Sequence, residues 1–281
     1  MEKSKIMELK KIAYTIRKHI IDETYHAGSG HPGGSLSCTD ILTVLYFHSM
    51  NIDVNNPRME DRDRFVLSKG HCAPALYGTL AEKGFFPKEE LIKLRSADSY
   101  LEGHPNMRTV PGVDMSTGSL AQGISAAVGM AMAGKLDKKD YTVYAILGDG
   151  ELEEGQVWEA SMAAAHYKLN NLVAFVDHNG MQIDGLITEV MSPEPVTDKF
   201  KAFGWNVINI NGHDYEQISE AIEQARKQKD KPTMIIAETI KGKGVSYMEG
   251  QVGWHGKAPD KELRDKAFAE LDEIIARLEV V

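Results

Sequence analysis

Residues Gly148–Gly185 read GDGELEEGQVWEASMAAAHYKLNNLVAFVDHNGMQIDG, and the reading of this stretch decides the fold. It begins where one apolar run, Tyr141–Leu147, gives way to Gly148-Asp149-Gly150. It contains a second run, Leu172–Val176, that leads to Asn179. Between the runs, Gln156–Tyr167 has helical composition and length. Two short apolar strands joined by a helix form a βαβ unit, whose strands are parallel neighbours with a right-handed crossover. Both strand ends then open on the same edge of the sheet, where open α/β sheets take their ligands. Asp149 and Asn179 therefore meet at that edge despite their separation in sequence. A carboxylate, an amide oxygen and a nearby backbone carbonyl are hard ligands suited to Mg²⁺ or Ca²⁺. Magnesium completes its octahedron with phosphate oxygens and water, so such a site is a diphosphate clamp, and Gly148 and Gly150 let backbone N–H groups approach the phosphates. Alone, Gly-Asp-Gly is more commonly a turn after a strand, and its Asp could be a phospho-acceptor or a ribose ligand. Asn179 at the end of the next strand tips the balance toward a metal–diphosphate site.

Outward from this unit the alternation continues. Trp205–Ile210 reads as a strand, Tyr215–Lys227 as a helix and Thr233–Ala237 as a strand. The fold class is α/β, a parallel sheet flanked by helices, with residues 1–281 as a single domain. Upstream, Ile6, Leu9, Ile12, Ile16 and Ile20 recur at three- and four-residue spacing, predicting a long amphipathic helix that stops at the glycine-rich Ala27–Gly34. Thr39-Asp40 is expected to cap the next helix. Phe65-Val66-Leu67 is a short apolar run before Gly70-His71, and Ala73–Leu80 reads as a helix. A glycine turn, Ser116–Leu120, leads into a helix over Ala121–Ala133 built from small residues, and a last amphipathic helix starts near Asp260.

Composition narrows the function classes. With 41 acidic against 32 basic side chains the net charge is −9, which repels phosphate backbones and argues against nucleic acid as a partner. A local basic pocket can still receive a small anion. Cys38 and Cys72 make no disulfide framework and no close metal spacing, as expected of reduced thiols in a cytoplasmic protein. No apolar run approaches the length of a membrane span, so no membrane is expected.

The quoted stretch resembles the thiamine-diphosphate signature of transketolases. Four further motifs match that family in order and spacing: Ser29-Gly30-His31-Pro32-Gly33, Leu67-Ser68-Lys69-Gly70-His71, Gly103-His104-Pro105, and Thr117-Gly118-Ser119-Leu120-Ala121-Gln122-Gly123. Thr239-Ile240-Lys241-Gly242-Lys243-Gly244 and Trp254-His255-Gly256 resemble the last pieces of its cofactor-binding domain. The resemblance covers nearly the whole chain. It implies the thiamine-diphosphate-binding fold, with Mg²⁺ (replaceable by Ca²⁺ or Mn²⁺) held by Asp149, Asn179 and the carbonyl of Met181. It implies that His71, Gly148, Gly150, Asn179 and His255 serve the diphosphate, and that Gly118, Ser119 and Leu120 line the thiamine moiety. His31, His104 and His255 would face the substrate channel, and Glu154 would lie at an interface between subunits, in a chain of carboxylates linking active sites. The implied reaction moves a two-carbon ketol unit between sugar phosphates. The cofactor is the electron sink, and histidines of near-neutral pKa shuttle hydroxyl protons. Two positions depart from the family pattern: His178 stands where many relatives carry Asp or Asn, and Ser119 where proline is common.

Members of that family continue into a second domain that binds the aminopyrimidine and the substrate phosphate. This chain is therefore expected to be the N-terminal subunit of a split transketolase, joined by a C-terminal subunit in an α2β2 assembly. The same half-enzyme could serve another ketol transfer, of a sulfosugar, a branched sugar such as apulose, or a deoxyxylulose-phosphate-synthase-like reaction. A non-catalytic metal–diphosphate binding protein is the remaining alternative.

Overall fold

The computed structural model describes residues 1–279. Its opening helix, α1 (Lys3–Ala27), buries Leu9, Ala13, Ile16, Ile20 and Ile21 along one stripe, as the spacing of its apolar residues requires. It ends at Gly28, which adopts φ +60° and turns its N–H to the Tyr25 carbonyl. That left-handed conformation is cheap only for a residue without Cβ. Two short helices follow, α2 (Pro32–Ser37) and α3 (Thr39–Val44). The expected cap at Thr39-Asp40 is not formed: the helical path already begins at Pro32, and Asp40 is buried inside it. Pro32 at the first helical position explains the earlier start, because its missing N–H would be unbonded there in any case.

The remaining elements run β1 (Arg64–Leu67), α4 (Ala73–Lys83), α5 (Gln122–Leu136), β2 (Val143–Gly148), α6 (Gly155–His166), β3 (Leu172–His178), α7 (Ile187–Val190), α8 (Val196–Ala202), β4 (Asn206–Asn211), α9 (Tyr215–Arg226), β5 (Thr233–Glu238) and α10 (Lys261–Glu279). All five strands pair in parallel in the order β1-β2-β3-β5-β4. The short run Phe65–Leu67 is thus an edge strand. Alternate strand residues feed two cores. Tyr144, Ile146, Val173 and Phe175 face α1, α3, α4, α9 and α10. Val143, Ala145, Leu147, Ala174 and Val176 face α5, α6 and α8. With both faces covered, every strand of the sheet centre must be apolar throughout, which is how β2 and β3 read. Register pairs Gly148 with Asp177 on the last rung, so the residues after both strands open on one edge.

One buried group has no partner in this packing. Glu23 of α1 is 0% exposed and both its carboxylate oxygens lack a hydrogen bond among the described residues. It lies against the Gly78 backbone of α4. Burial, with a smaller push from Asp22, raises its pKa well above the usual carboxylate range. A raised folded pKa means that stability is full below the unfolded value and is lost as pH rises through the folded one. Glu23→Gln, a neutral isostere, is expected to match the parent at pH 4 and to be more stable at pH 8 by about 1–3 kcal/mol. Urea unfolding at the two pH values is the measurement, and equal stability at pH 8 would refute the unpaired-carboxylate argument.

Candidate active site

At the carboxyl edge of the sheet a cavity of about 220 Å³ is lined by Leu120, Gly148, Asp149, Gly150, Asn179, Met181, His71, Lys241 and His255. Lys69, which also lines it, belongs to a buried ion pair. Asp177, fully buried at the end of β3, accepts from Lys69 Nζ at 2.5 Å, from Ser37 Oγ and from Thr239 Oγ1. Burial alone would push Asp177 upward, but Lys69 and the two hydroxyls hold it below the usual carboxylate range. The same carboxylate takes the Asn179 amide N–H at 3.4 Å. With its nitrogen committed there, the Asn179 Oδ1 is left to the loop side, where it meets the Met181 N–H at 3.2 Å.

Asp149 is 2% exposed and accepts from the N–H groups of Gly150 (3.0 Å) and Gly180 (2.6 Å). Burial and the repulsion of Asp177 raise it to about 6. A carboxylate so placed gains strongly from a cation beside it. Asp149, the Asn179 amide oxygen and the nearby Met181 carbonyl form a hard-oxygen set that fits Mg²⁺ or Ca²⁺. Glu151, also buried, accepts from Ser68 Oγ, from Ala121 N–H at 2.7 Å and from Gly148 N–H at 3.0 Å. It thereby ties β1, the start of α5 and the Gly148–Gly150 turn together. Ala121, at φ +67°, carries a steric cost that these bonds over-determine.

The same cavity meets a cluster of imidazoles. Ring centroids of His31, His71 and His255 lie 5.1, 5.3 and 5.5 Å apart. His104 stands beside Gly118, close enough that a Cβ there would come within 3.2 Å of its ring. His255 Nδ1 accepts from the Lys241 ammonium at 2.9 Å, so its own proton sits on Nε2. The buried Nδ1 of His31 and the buried hydroxyl of Thr117 have no protein partner among the described residues, as befits atoms that face a bound molecule.

The tertiary fold thus brings together most of the residues singled out from sequence. His71, Leu120, Gly148, Asp149, Gly150, Asn179, Met181 and His255 line one cavity. His31 joins it through its ring contacts, and His104 with Gly118 sits at its margin. Ser119 is exposed and lines no part of the cavity. Glu154 is not brought to the histidines: it is the exposed N-cap of α6. Four contributors escaped the sequence reading as individuals, namely Lys69, Glu151, Asp177 and Lys241. Lys69 and Lys241 lie inside motifs already quoted, and a lysine within a glycine-rich motif was the signal that could have found them. His178, one of the departures, pairs with Glu194 at 2.9 Å.

Comparison with known proteins agrees with this geometry. Residues 8–270 match the family model described as "Transketolase, thiamine diphosphate binding domain". The 6-deoxy-6-sulfo-D-fructose transketolase subunit SqwG of Clostridium sp. (strain MSTE9) is 49% identical over 267 residues, 95% of this chain and 97% of that protein. An apulose-4-phosphate transketolase subunit of Phocaeicola vulgatus is 47% identical over 263 residues, covering 94% and 93% of the two chains. Human transketolase is 43% identical over 271 residues, but this chain spans only 43% of its length. The crystal structure of Campylobacter jejuni transketolase superposes with a TM-score of 0.88 at 38% identity, over 94% of this chain and 42% of that one.

The histidine cluster has a measurable electrostatic consequence. Burial first, then neighbouring cations and imidazoles, lowers His31 and His71 to about 4 and His255 to about 3. Depressed folded values mean that the stability tied to these neutral rings is present above the unfolded value near 6.5 and is lost as pH falls from there toward 4. Nuclear magnetic resonance of the imidazoles should show all three uncharged at pH 5.5, and any of them titrating near 6.5 would contradict the buried-cluster geometry.

The chain belongs to the transketolase family, as a thiamine-diphosphate-binding N-terminal domain.

Proposed function

We propose that this chain is the N-terminal subunit of a two-chain transketolase that transfers a two-carbon ketol unit from a ketose phosphate to an aldose phosphate. The observation that carries the proposal is the meeting, in one cavity, of the Asp149–Asn179 oxygen set with a cluster of neutral imidazoles. Asp149, Asn179 and the Met181 carbonyl would hold the divalent metal, with Gly148, Gly150, His71 and Lys241 toward the diphosphate. Gly118 and Leu120 would lie along the thiamine ring, with Ser119 between them facing outward. Bound thiamine diphosphate supplies an electron sink for carbon–carbon cleavage. The protein's share is proton management. A neutral imidazole can take a proton from a sugar hydroxyl or stabilise a developing alkoxide by donating its N–H. His31 and His255 are assigned this role, His104 is assigned to the channel margin, and Glu154 to an inter-subunit contact away from the cavity.

The relatives named as subunits are matched almost end to end, whereas transketolases such as the human enzyme run more than twice as long. This supports a partner chain carrying the remaining half, in an α2β2 assembly. An exposed apolar set, Met162, Ile183, Leu186, Val190 and Met191, supplies surface for such contacts. A specific observation favours a second substrate reading. The two relatives near half identity are named for a sulfosugar and for apulose 4-phosphate, so a modified ketose is a direct competitor to the common sugar phosphates. The complex reconstituted with its partner, offered xylulose 5-phosphate, 6-deoxy-6-sulfofructose and apulose 4-phosphate in turn, separates these readings by kcat/KM. Transfer by the pure isolated chain would sink the two-subunit proposal.

Asp149→Ala removes the one anionic ligand of the metal set. It is expected to abolish magnesium-dependent retention of thiamine diphosphate by the complex while leaving the circular dichroism spectrum unchanged. Unaltered magnesium dependence in that variant would rule out the ligand assignment. His31→Ala and His255→Ala should lower kcat by about 10²- to 10⁴-fold with a much smaller change in cofactor affinity. Near-parental turnover in both would return these rings to a packing role.

A further inference from the structure

The loop after β5, Thr239–Gly244, carries Lys241 into the cavity, and its backbone is gripped by a buried carboxylate acting through two other side chains. Asp40 of α3 is 4% exposed. It accepts two N–H groups of the Arg17 guanidinium at 3.0 and 2.7 Å, the Nδ1–H of His213 at 2.7 Å and the Tyr215 hydroxyl. Burial alone would push Asp40 upward, but Arg17 and His213 hold it well below the usual carboxylate range, so it remains an anion. Arg17 then donates its Nε–H to the Lys243 carbonyl at 2.9 Å. His213, with its proton on Nδ1 toward Asp40, accepts the Ile240 N–H on Nε2, also at 2.9 Å. The two grips fall on either side of Lys241. The loop is pinned further by Gly242 N–H on the Gly33 carbonyl and by Gly250 N–H on the Lys241 carbonyl, both at 2.9 Å. Gly33 permits this close approach, since a Cβ there would come within 2.7 Å of the Trp254 carbonyl and within 3.2 Å of the Lys241 side chain. Asp40, Arg17 and His213 touch no part of the cavity.

We propose that Asp40, acting through His213 and Arg17, is the positioning device that sets the Lys241 ammonium against His255 at the diphosphate end of the cavity. For the identity of the ligand this rests on the thiamine-diphosphate reading above; for the geometry it does not. A lysine is a compact charge on a flexible stem. Its placement is therefore set by where its backbone is held and by what its ammonium meets. A ligand of this kind loses affinity when its supporting hydrogen bonds are removed, even though the supports never touch the bound group. Removing either member of the buried Arg17–Asp40 pair would leave an uncompensated charge and endanger the fold. His213 is the member that can be changed cleanly.

Binding of magnesium pyrophosphate to the purified chain, by titration calorimetry, is the first readout. His213→Leu and Lys241→Met are each expected to weaken binding by about 10- to 100-fold. The double variant should bind no more weakly than Lys241→Met alone, because the two changes remove one interaction. His213→Gln keeps a donor for Asp40 and an acceptor for Ile240, and should restore affinity, which separates positioning from general damage to the fold. Parental affinity in His213→Leu, or full additivity with Lys241→Met, overturns the proposal. Failure of the parent chain to take up magnesium pyrophosphate would count against the cofactor reading rather than the positioning one. The second readout needs no ligand. His255 is depressed to about 3 by burial and then by Lys241. Its titration midpoint should rise in both His213→Leu and Lys241→Met, and an unmoved midpoint in His213→Leu overturns the proposal on its own.

Discussion

The buried pair between Lys69 and Asp177 is the constraint on which the carboxyl edge of the sheet depends. Lys69 arrives from the end of β1 and Asp177 from the end of β3, with β2 and its Gly148–Gly150 turn between them. Neither charge could remain in so dry a place alone. Breaking a buried pair by removing one member typically costs about 3–5 kcal/mol. Around that pair the other donors arrange themselves: Ser37 from α2, Thr239 from the loop after β5, and the amide of Asn179. The Lys69 ammonium also bonds the Gly34 carbonyl at 2.8 Å, which anchors the glycine-rich turn over the edge. One ion pair thus sets the relative positions of four chain segments, and the orientation of the Asn179 amide follows from it.

Electrostatics divide the cavity into two unlike halves. Around Asp149, burial and a second carboxylate raise its pKa, so a divalent cation would be stabilised there. On the histidine side, burial and the ammonium groups of Lys69 and Lys241 lower His71 and His255, so these rings stay uncharged at neutral pH. On the reading proposed above, a bound metal–diphosphate would carry the charge near Asp149 while protons move at the neutral rings. It also explains why a chain of net charge −9 can receive an anion. The cations that matter are few and confined to one pocket by buried partners.

The periodic parts of the fold were legible in the sequence. The apolar runs that became β2, β3 and β5, and the stripe of α1 from Leu9 to Ile21, follow from burial of one helix stripe and of both sheet faces. Asp149 and Asn179 could be placed at one edge because parallel neighbours in a βαβ unit end together. Asp40 shows the opposite case. From sequence it looked like a helix cap, since Asp commonly serves there. In the fold it is a buried hub for Arg17, His213 and Tyr215, two of which lie far along the chain.

What the sequence by itself determined was the longer helices and four of the five strands, the βαβ order and the chemical types gathered at its loops, because these depend on local periodicity and on short motifs. Only the tertiary structure decided which of those loops share a cavity. Ser119 was expected along the thiamine moiety yet does not line the cavity, whereas Lys241 and Lys69, quoted in motifs but given no role of their own, do. The reason is that burial and hydrogen-bond pairing are properties of three-dimensional neighbours. Whether a lysine is a solvated surface charge or half of a buried pair is settled by residues more than a hundred positions away, as Asp177 settles it for Lys69.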